Sequence, residues 1–303
     1  MSKGLRANRR YGAHLGMEWW KPALLVPGIL ILFLGMQLAF YAVSSLIDGR
    51  DQMFTSEMAP TTQLANNLSV AATALIALVV TARAVQVPWR SLLSFKRSLD
   101  LRRFAVYGAL STVLIAAGAV TTALIAPEST QWAGFGITGT TVALLAVTVL
   151  TAPLQSAGEE VIFRGLIMPA TASWVRAVCP ALGLGIAVSS ILFALVHGSA
   201  DPWLFAYYVV FGVSTATMAV LSRGLEAPIA FHVVNNLITS ILNITLANGQ
   251  SPTFERSAGA GGPSYLILMA VNVAAVGVIW WREHSREAER WAKDRQKTTV
   301  GQR

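Results

Sequence analysis

Charge is the scarcest commodity in this chain. Of its 303 residues only 13% are Asp, Glu, Lys or Arg, where a soluble domain carries roughly a quarter. With 54% hydrophobic residues, the deficit points to an integral membrane protein. Cysteine is nearly missing as well. Cys179 stands alone, so no disulfide forms within one chain and a multi-cysteine zinc site is excluded. No internal repeat is found, and no convincing small-residue cleavage site closely follows the basic N-terminus MSKGLRANRR. The apolar run after it, from Pro22 to Ile47, is too long for a cleaved signal peptide and is expected to remain as a first span.

What is present is a series of apolar runs, each long enough for the roughly 20 residues a span requires. Eight are expected, near 23–47, 64–83, 104–126, 139–173, 181–199, 203–222, 226–247 and 264–281. The fourth is longer than a bilayer needs. It is expected to tilt, to project into the cytoplasm, or to break near Pro153 or Gly158. The fold class is therefore an all-α polytopic transmembrane helix bundle.

The cations set its orientation. Five of them lie before the first span, six between Arg83 and Arg103, and seven from Arg282 onward. The expected outer loops hold only Arg50 and Arg256, and Arg164, Arg176 and Arg223 lie in or beside inner turns. Both termini are thus expected in the cytoplasm. Trp19, Trp20, Trp280 and Trp281 fall where an aromatic belt is expected. Topology accounts for the net charge of +8, so no nucleic-acid partner is implied. The segment Trp89 to Arg103 is basic and partly amphipathic. It is expected to lie on the inner surface against anionic lipid. Residues 1–22 read as a basic cytoplasmic tail, 23–138 as accessory spans, and 282–303 as a charged cytoplasmic tail.

Against this background a few ionisable residues sit inside spans, where they are costly and rare: Glu159, Glu160, Arg164, His197 and His232. Glu160 and Arg164, Phe193 and His197, and His232 and Asn236 are each i and i+4, so each pair shares a helix face. Glu159 and His197 are equally far along the chain from Val178 in the joining turn. In a helical hairpin they should face each other, roughly 20–25 Å along the helices from that turn. His232 should be shallower by on the order of 10 Å or more, unless its turn is recessed or its helix tilts. Glu160 is expected to be neutralised by Arg164, leaving Glu159 as a general base facing His197. His197 would assist water activation or proton return, and His232 with Asn236 would hold a developing oxyanion. Singly, an intramembrane His also reads as a helix–helix hydrogen-bonding group and a Glu–Arg pair as a structural lock. Gln37, Asn243 and Asn272 read as packing groups.

The three pairs resemble the motifs of the CPBP intramembrane proteases, a family that includes the type II CAAX prenyl endopeptidases and the bacteriocin-processing Abi proteins. EExxxR is matched by Glu159 to Arg164, FxxxH by Phe193 to His197, and HxxxN by His232 to Asn236. The likeness covers residues 140–247, so 139–247 reads as a catalytic core and 264–281 as a last span. It implies an intramembrane endopeptidase acting on a membrane protein or peptide, with Glu159, His197, His232 and Asn236 as the catalytic set and Glu160, Arg164 and Phe193 as its support. The chain is expected to be an integral, multi-pass protein of the plasma membrane. Whether the substrate is lipidated stays open. So does zinc, for which the ligands would be Glu159, His197 and His232. Two other classes remain at this point: a transporter or proton relay, and a non-catalytic scaffold or immunity protein.

Overall fold

A computed structural model describes residues 4–6, 9–53, 57–130, 132–253 and 255–300, the last stretch by its backbone alone from 287 onward. The bundle is all-helical. The helices are α1 (Trp20–Asp48), α2 (Pro60–Val85), the short α3 (Arg90–Leu93), α4 (Leu101–Ile125), α5 (Gly139–Glu160), α6 (Met168–Ala172), α7 (Val178–Val196), α8 (Pro202–Ser222), α9 (Glu226–Thr245) and α10 (Tyr265–Val300). A π-helical turn, Val161–Ile167, fuses α5 to α6. Counting that fused helix once, eight among the described residues are long and apolar enough to cross a membrane, in agreement with the eight expected runs.

The long fourth span does not break at Pro153 or Gly158. It runs through both and widens only after the glutamate pair. Pro169 lies just downstream, without the N–H that an α-helical ladder would direct at Gly165 and with a ring that crowds that carbonyl. The one-turn π widening accommodates it. Such turns are rare and occur mostly inside α-helices, frequently at functional sites.

α5 is the hub. It packs on α2 along one side and on α9 along the other, while its π-helical continuation meets α7. α8 fills the space between α7, α9 and α10, and α4 lies outside against α9 and α10. Only 17% of the apolar windows of α1, α4 and α10 is buried, against 50% for α2, so these three form the lipid-facing perimeter. Backbones approach closely where side chains vanish. A Cβ at Gly212 would stand 2.8 Å from that of Ser190, so glycine sets the α7–α8 spacing.

The two ends of the bundle differ. One end carries the arginine-poor loops around 49–59, 126–138, 197–201 and 246–264. The other carries the arginine-rich segments and is sealed by protein. The basic N-terminal stretch is not a free tail there: Tyr11, Ala13, His14 and Leu15 are fully buried. The Tyr11 hydroxyl donates to the Leu92 carbonyl at 2.6 Å, and His14 Nε2 lies 3.0 Å from the Ser91 carbonyl. The 89–103 segment likewise departs from a surface helix. Leu92 and Phe95 are buried, and Arg97 pairs with Glu226 at the start of α9. Arg90, Lys96 and Arg102 remain exposed at this end. Asp100 caps α4 by accepting from the Arg102 and Arg103 amides.

Burial pushes the His14 imidazole down to about 4, against a hydrogen bond to the Ser91 carbonyl that works the other way. Folded protein holds it neutral, while an undocked arm takes up a proton below about 6.5. Stability from this group is therefore complete above about pH 6.5 and is lost as pH falls toward 4, by on the order of 3 kcal/mol. Thermal unfolding should show a steeper fall between pH 7 and 4 for wild type than for His14→Phe. Parallel curves would contradict this reading.

Candidate active site

The charged residues meet where α5, the π turn, α7, α8 and α9 converge. Glu159 and Glu160 end α5 on adjacent faces, and the π turn follows at once. Arg164 Nη1 lies 3.3 Å from Glu160 Oε1, with both side chains wholly buried. Its Nη2 donates to the Gly212 carbonyl at 3.3 Å, and its guanidinium lies 4.4 Å from the Phe193 ring centroid. Phe193 thus supports the site through its ring, stacked on Phe211 with centroids 5.7 Å apart.

His232 reaches the same depth. Its Nδ1 is 2.8 Å from Glu160 Oε1 and its Nε2 is 3.5 Å from Glu159 Oε2. The turn before α9 is recessed: Gly224, Leu225, Glu226, Ala227 and Pro228 are all buried. The Leu225 amide donates to the Leu93 carbonyl, so the sealing segment roofs the turn and draws α9 into the bundle.

This changes two pairings. Glu160 serves both Arg164 and His232, and is not neutralised by the arginine alone. Glu159 has a partner, and that partner is His232 and not His197. His197 caps the C-terminus of α7 at the arginine-poor end. Its Nδ1 is 2.7 Å from the Phe193 carbonyl and its ring lies 4.0 Å from that of Tyr208. Neither of its nitrogens forms a hydrogen bond or ion pair with a glutamate. A hairpin count places Glu159 and His197 at equal chain distance from the turn, but the π turn and the loop at 173–177 offset α5 from α7.

Glu159 is also oriented from within its own helix. The Gln155 amide donates to Glu159 Oε1 at 2.6 Å. Asn236 Nδ2 in turn donates to Gln155 Oε1 and Ser156 Oγ at 3.2 and 3.1 Å, and the Asn235 amide donates to Asn236 Oδ1 at 3.2 Å. Both Nδ2 hydrogens of Asn236 are therefore engaged. Sequence reasoning missed Gln155, Ser156, Tyr208 and Phe211. Gln155 carried a usable signal, a polar residue at i−4 from Glu159 in an uncharged run. Gln37 and Asn243 make the interhelical and loop contacts expected of packing groups, to Asn66 and Trp132.

The hydrogen-bonding roles follow from the partners. A carboxylate and a carbonyl only accept, so Nδ1 is the donor in both His232 and His197, and wherever the ring is neutral its Nε2 is bare. Glu159 Oε2 is buried without a hydrogen-bond partner. Two acceptors, His232 Nε2 and Glu159 Oε2, thus face each other and call for a shared donor such as a water or a proton. Two carboxylates against one guanidinium also leave the cluster with one surplus negative charge, which a captured proton would neutralise.

Zinc would need Glu159, His197 and His232 to converge. Among the described residues no three His, Cys, Asp or Glu side chains are grouped so as to hold a metal. His197 stands apart from the other two, so this arrangement does not form that ligand set.

The buried pairs should separate fold from function. Removing Glu160 leaves Arg164 uncompensated, so Glu160→Ala should lose roughly 3–5 kcal/mol of stability. Glu159→Gln, which keeps the contact with Gln155, should stay close to wild type. Thermal unfolding in detergent distinguishes them; equal stability of both variants would contradict the assignment of Glu160 as the anchor.

Residues 138–238 match the sequence model of the family described as type II CAAX prenyl endopeptidase Rce1-like. That stretch contains all three motif pairs and supports the resemblance they carry. No curated protein and no solved structure matches the chain.

Proposed function

We propose, from this family match and the buried Glu159–His232 pair, that the chain is an intramembrane endopeptidase. It would hydrolyse a peptide bond of a membrane-associated protein or peptide. The observation that carries the reading is the pair of facing acceptors, Glu159 Oε2 and His232 Nε2, 3.5 Å apart and buried in a multi-pass helical bundle.

A water held between them donates to both. Glu159 takes one proton as the water oxygen attacks the scissile carbonyl carbon, and His232 holds the remaining hydrogen in line. The carbonyl π electrons move to oxygen, and the oxyanion is held by the Asn235 amide, which turns one hydrogen to it from its present partners Asn236 and Tyr207. Collapse expels the leaving nitrogen, which receives the proton from Glu159. Products are a carboxyl and an amine, with one water consumed. In this scheme Asn236 is a positioning residue, since it fixes Gln155 and thereby Glu159. His197 offers a bare Nε2 at the arginine-poor side of the site, suited to an N–H of the substrate strand. Retaining the positive-inside expectation, that side is extracytoplasmic.

Purified protein in detergent should cleave members of a peptide library. Glu159→Gln should lower the rate by about a hundredfold to ten-thousandfold. Equal cleavage by the two would sink the assignment of Glu159. Loss of wild-type activity with a chelator would move the chemistry to a metal. Proton flux across vesicles without any cleavage would favour a proton relay in place of a protease.

A further inference from the structure

A large cavity lies outside the charged cluster. It measures about 1090 Å³ and sits between α4, α8, α9 and α10 in the arginine-poor half, roofed by the loops at 126–133 and 250–264. Ligand pockets commonly run from about 300 to 1,000 Å³, so this is ample for a chain segment. Its walls mix Ile115, Leu242 and Val271 with the amides of Asn235, Asn243 and Asn272. Asn235 joins it to the site, because the Asn235 amide bonds Asn236, which bonds Gln155, which bonds Glu159.

Access differs sharply between the two ends. From the arginine-rich end the cluster is covered by Leu92, Phe95 and the Arg97–Glu226 pair. Glu159, Glu160, Arg164 and His232 are buried, whereas His197, Asn235 and Asn236 are half-buried. The half-buried members are those that face the arginine-poor side.

A second observation points to an occupant. Asn272 is 2% exposed, its Nδ2 donates to the Leu268 carbonyl of its own helix, and its Oδ1 has no hydrogen-bond partner. Tyr207 hydrogen-bonds the side-chain amides of both Asn235 and Asn272, yet Asn272 Oδ1 stays without a partner. A buried amide oxygen left bare is costly, so a ligand N–H that reached it would bind there. An acyl chain has no donor to offer and would leave the amides stranded. A polypeptide backbone supplies N–H and C=O alternately.

Resting on the protease reading, we infer that this cavity is the substrate channel. It admits an extended, uncharged polypeptide strand from the arginine-poor side and guides its backbone along Asn272 and Asn235 toward Glu159.

The test uses full-length protein in sealed vesicles and the native Cys179, which is exposed at the start of α7 on the arginine-rich end, as the marker of that face. Thr239, in the cavity wall, is replaced by Cys, with Asn243→Cys as a second variant should the first fold poorly. A membrane-impermeant maleimide should label the introduced cysteine only from the face opposite Cys179. An uncharged ten-residue peptide of Ala, Leu and Ser should slow that labelling several-fold and saturably, while lysophosphatidylcholine should not. Labelling from the Cys179 face, or from neither face, overturns the entry side. Protection by the lipid and not by the peptide overturns the occupant. The whole series is repeated with Glu159→Gln, where no turnover is needed. A channel that binds peptide while wild type cleaves nothing would then refute the protease reading and leave the channel standing.

Discussion

The site depends on one shared carboxylate. Glu160 is fully buried, and a lone charge there is expensive. Its Oε1 is met by two groups from different directions, Arg164 from the next helical turn and His232 from α9. Arg164 is in turn fixed by the Gly212 carbonyl and the Phe193 ring. One carboxylate oxygen therefore ties α5, α7, α8 and α9 together. Taking Glu160 or Arg164 away strands a buried charge. That penalty gives the cluster its hold on helix placement even though a buried ion pair adds little net stability as such.

Because Glu160 is occupied as an anchor, Glu159 is the carboxylate proposed for the chemistry. The two neighbours in sequence differ in role through their surroundings. Glu160 faces cations and donors, while Glu159 faces the bare Nε2 that the Glu160 contact leaves on His232. The carboxylate that holds the fold thus also selects the tautomer of the imidazole, much as an outer-shell carboxylate orients a histidine in other sites. A second ion pair, Arg97 with Glu226, makes this possible from a distance. It closes the arginine-rich end over the start of α9 and lets His232, only six residues into its helix, lie deep in the bundle.

Much of the architecture was legible in the sequence. Eight apolar runs became eight spanning helices, since length and hydropathy alone decide that property. The i, i+4 spacings of Glu160 with Arg164 and His197 with Phe193 also held, because they are local to one helix. What escaped was tertiary. The depth of His232 was counted from a turn assumed to lie at the surface, whereas that turn is roofed by 89–103. Glu159 was matched to His197 by counting along a hairpin, and the π turn and short loop shift that register. The N-terminal arm read as a basic tail, yet it presents the buried faces of Tyr11, His14 and Leu15. Net charge conceals such a pattern over so short a stretch.

The central claim is that Glu160 holds His232 with Nδ1 protonated and leaves Nε2 bare toward Glu159. With four histidines in the chain, ¹⁵N-histidine labelling in bilayers and assignment by single substitutions would read it directly. The account predicts a protonated Nδ1 and an unprotonated Nε2 on the neutral His232 ring, with that preference lost in Glu160→Gln and kept in His197→Ala. A protonated Nε2 with a bare Nδ1, or a His232 signal indifferent to Glu160, would contradict it.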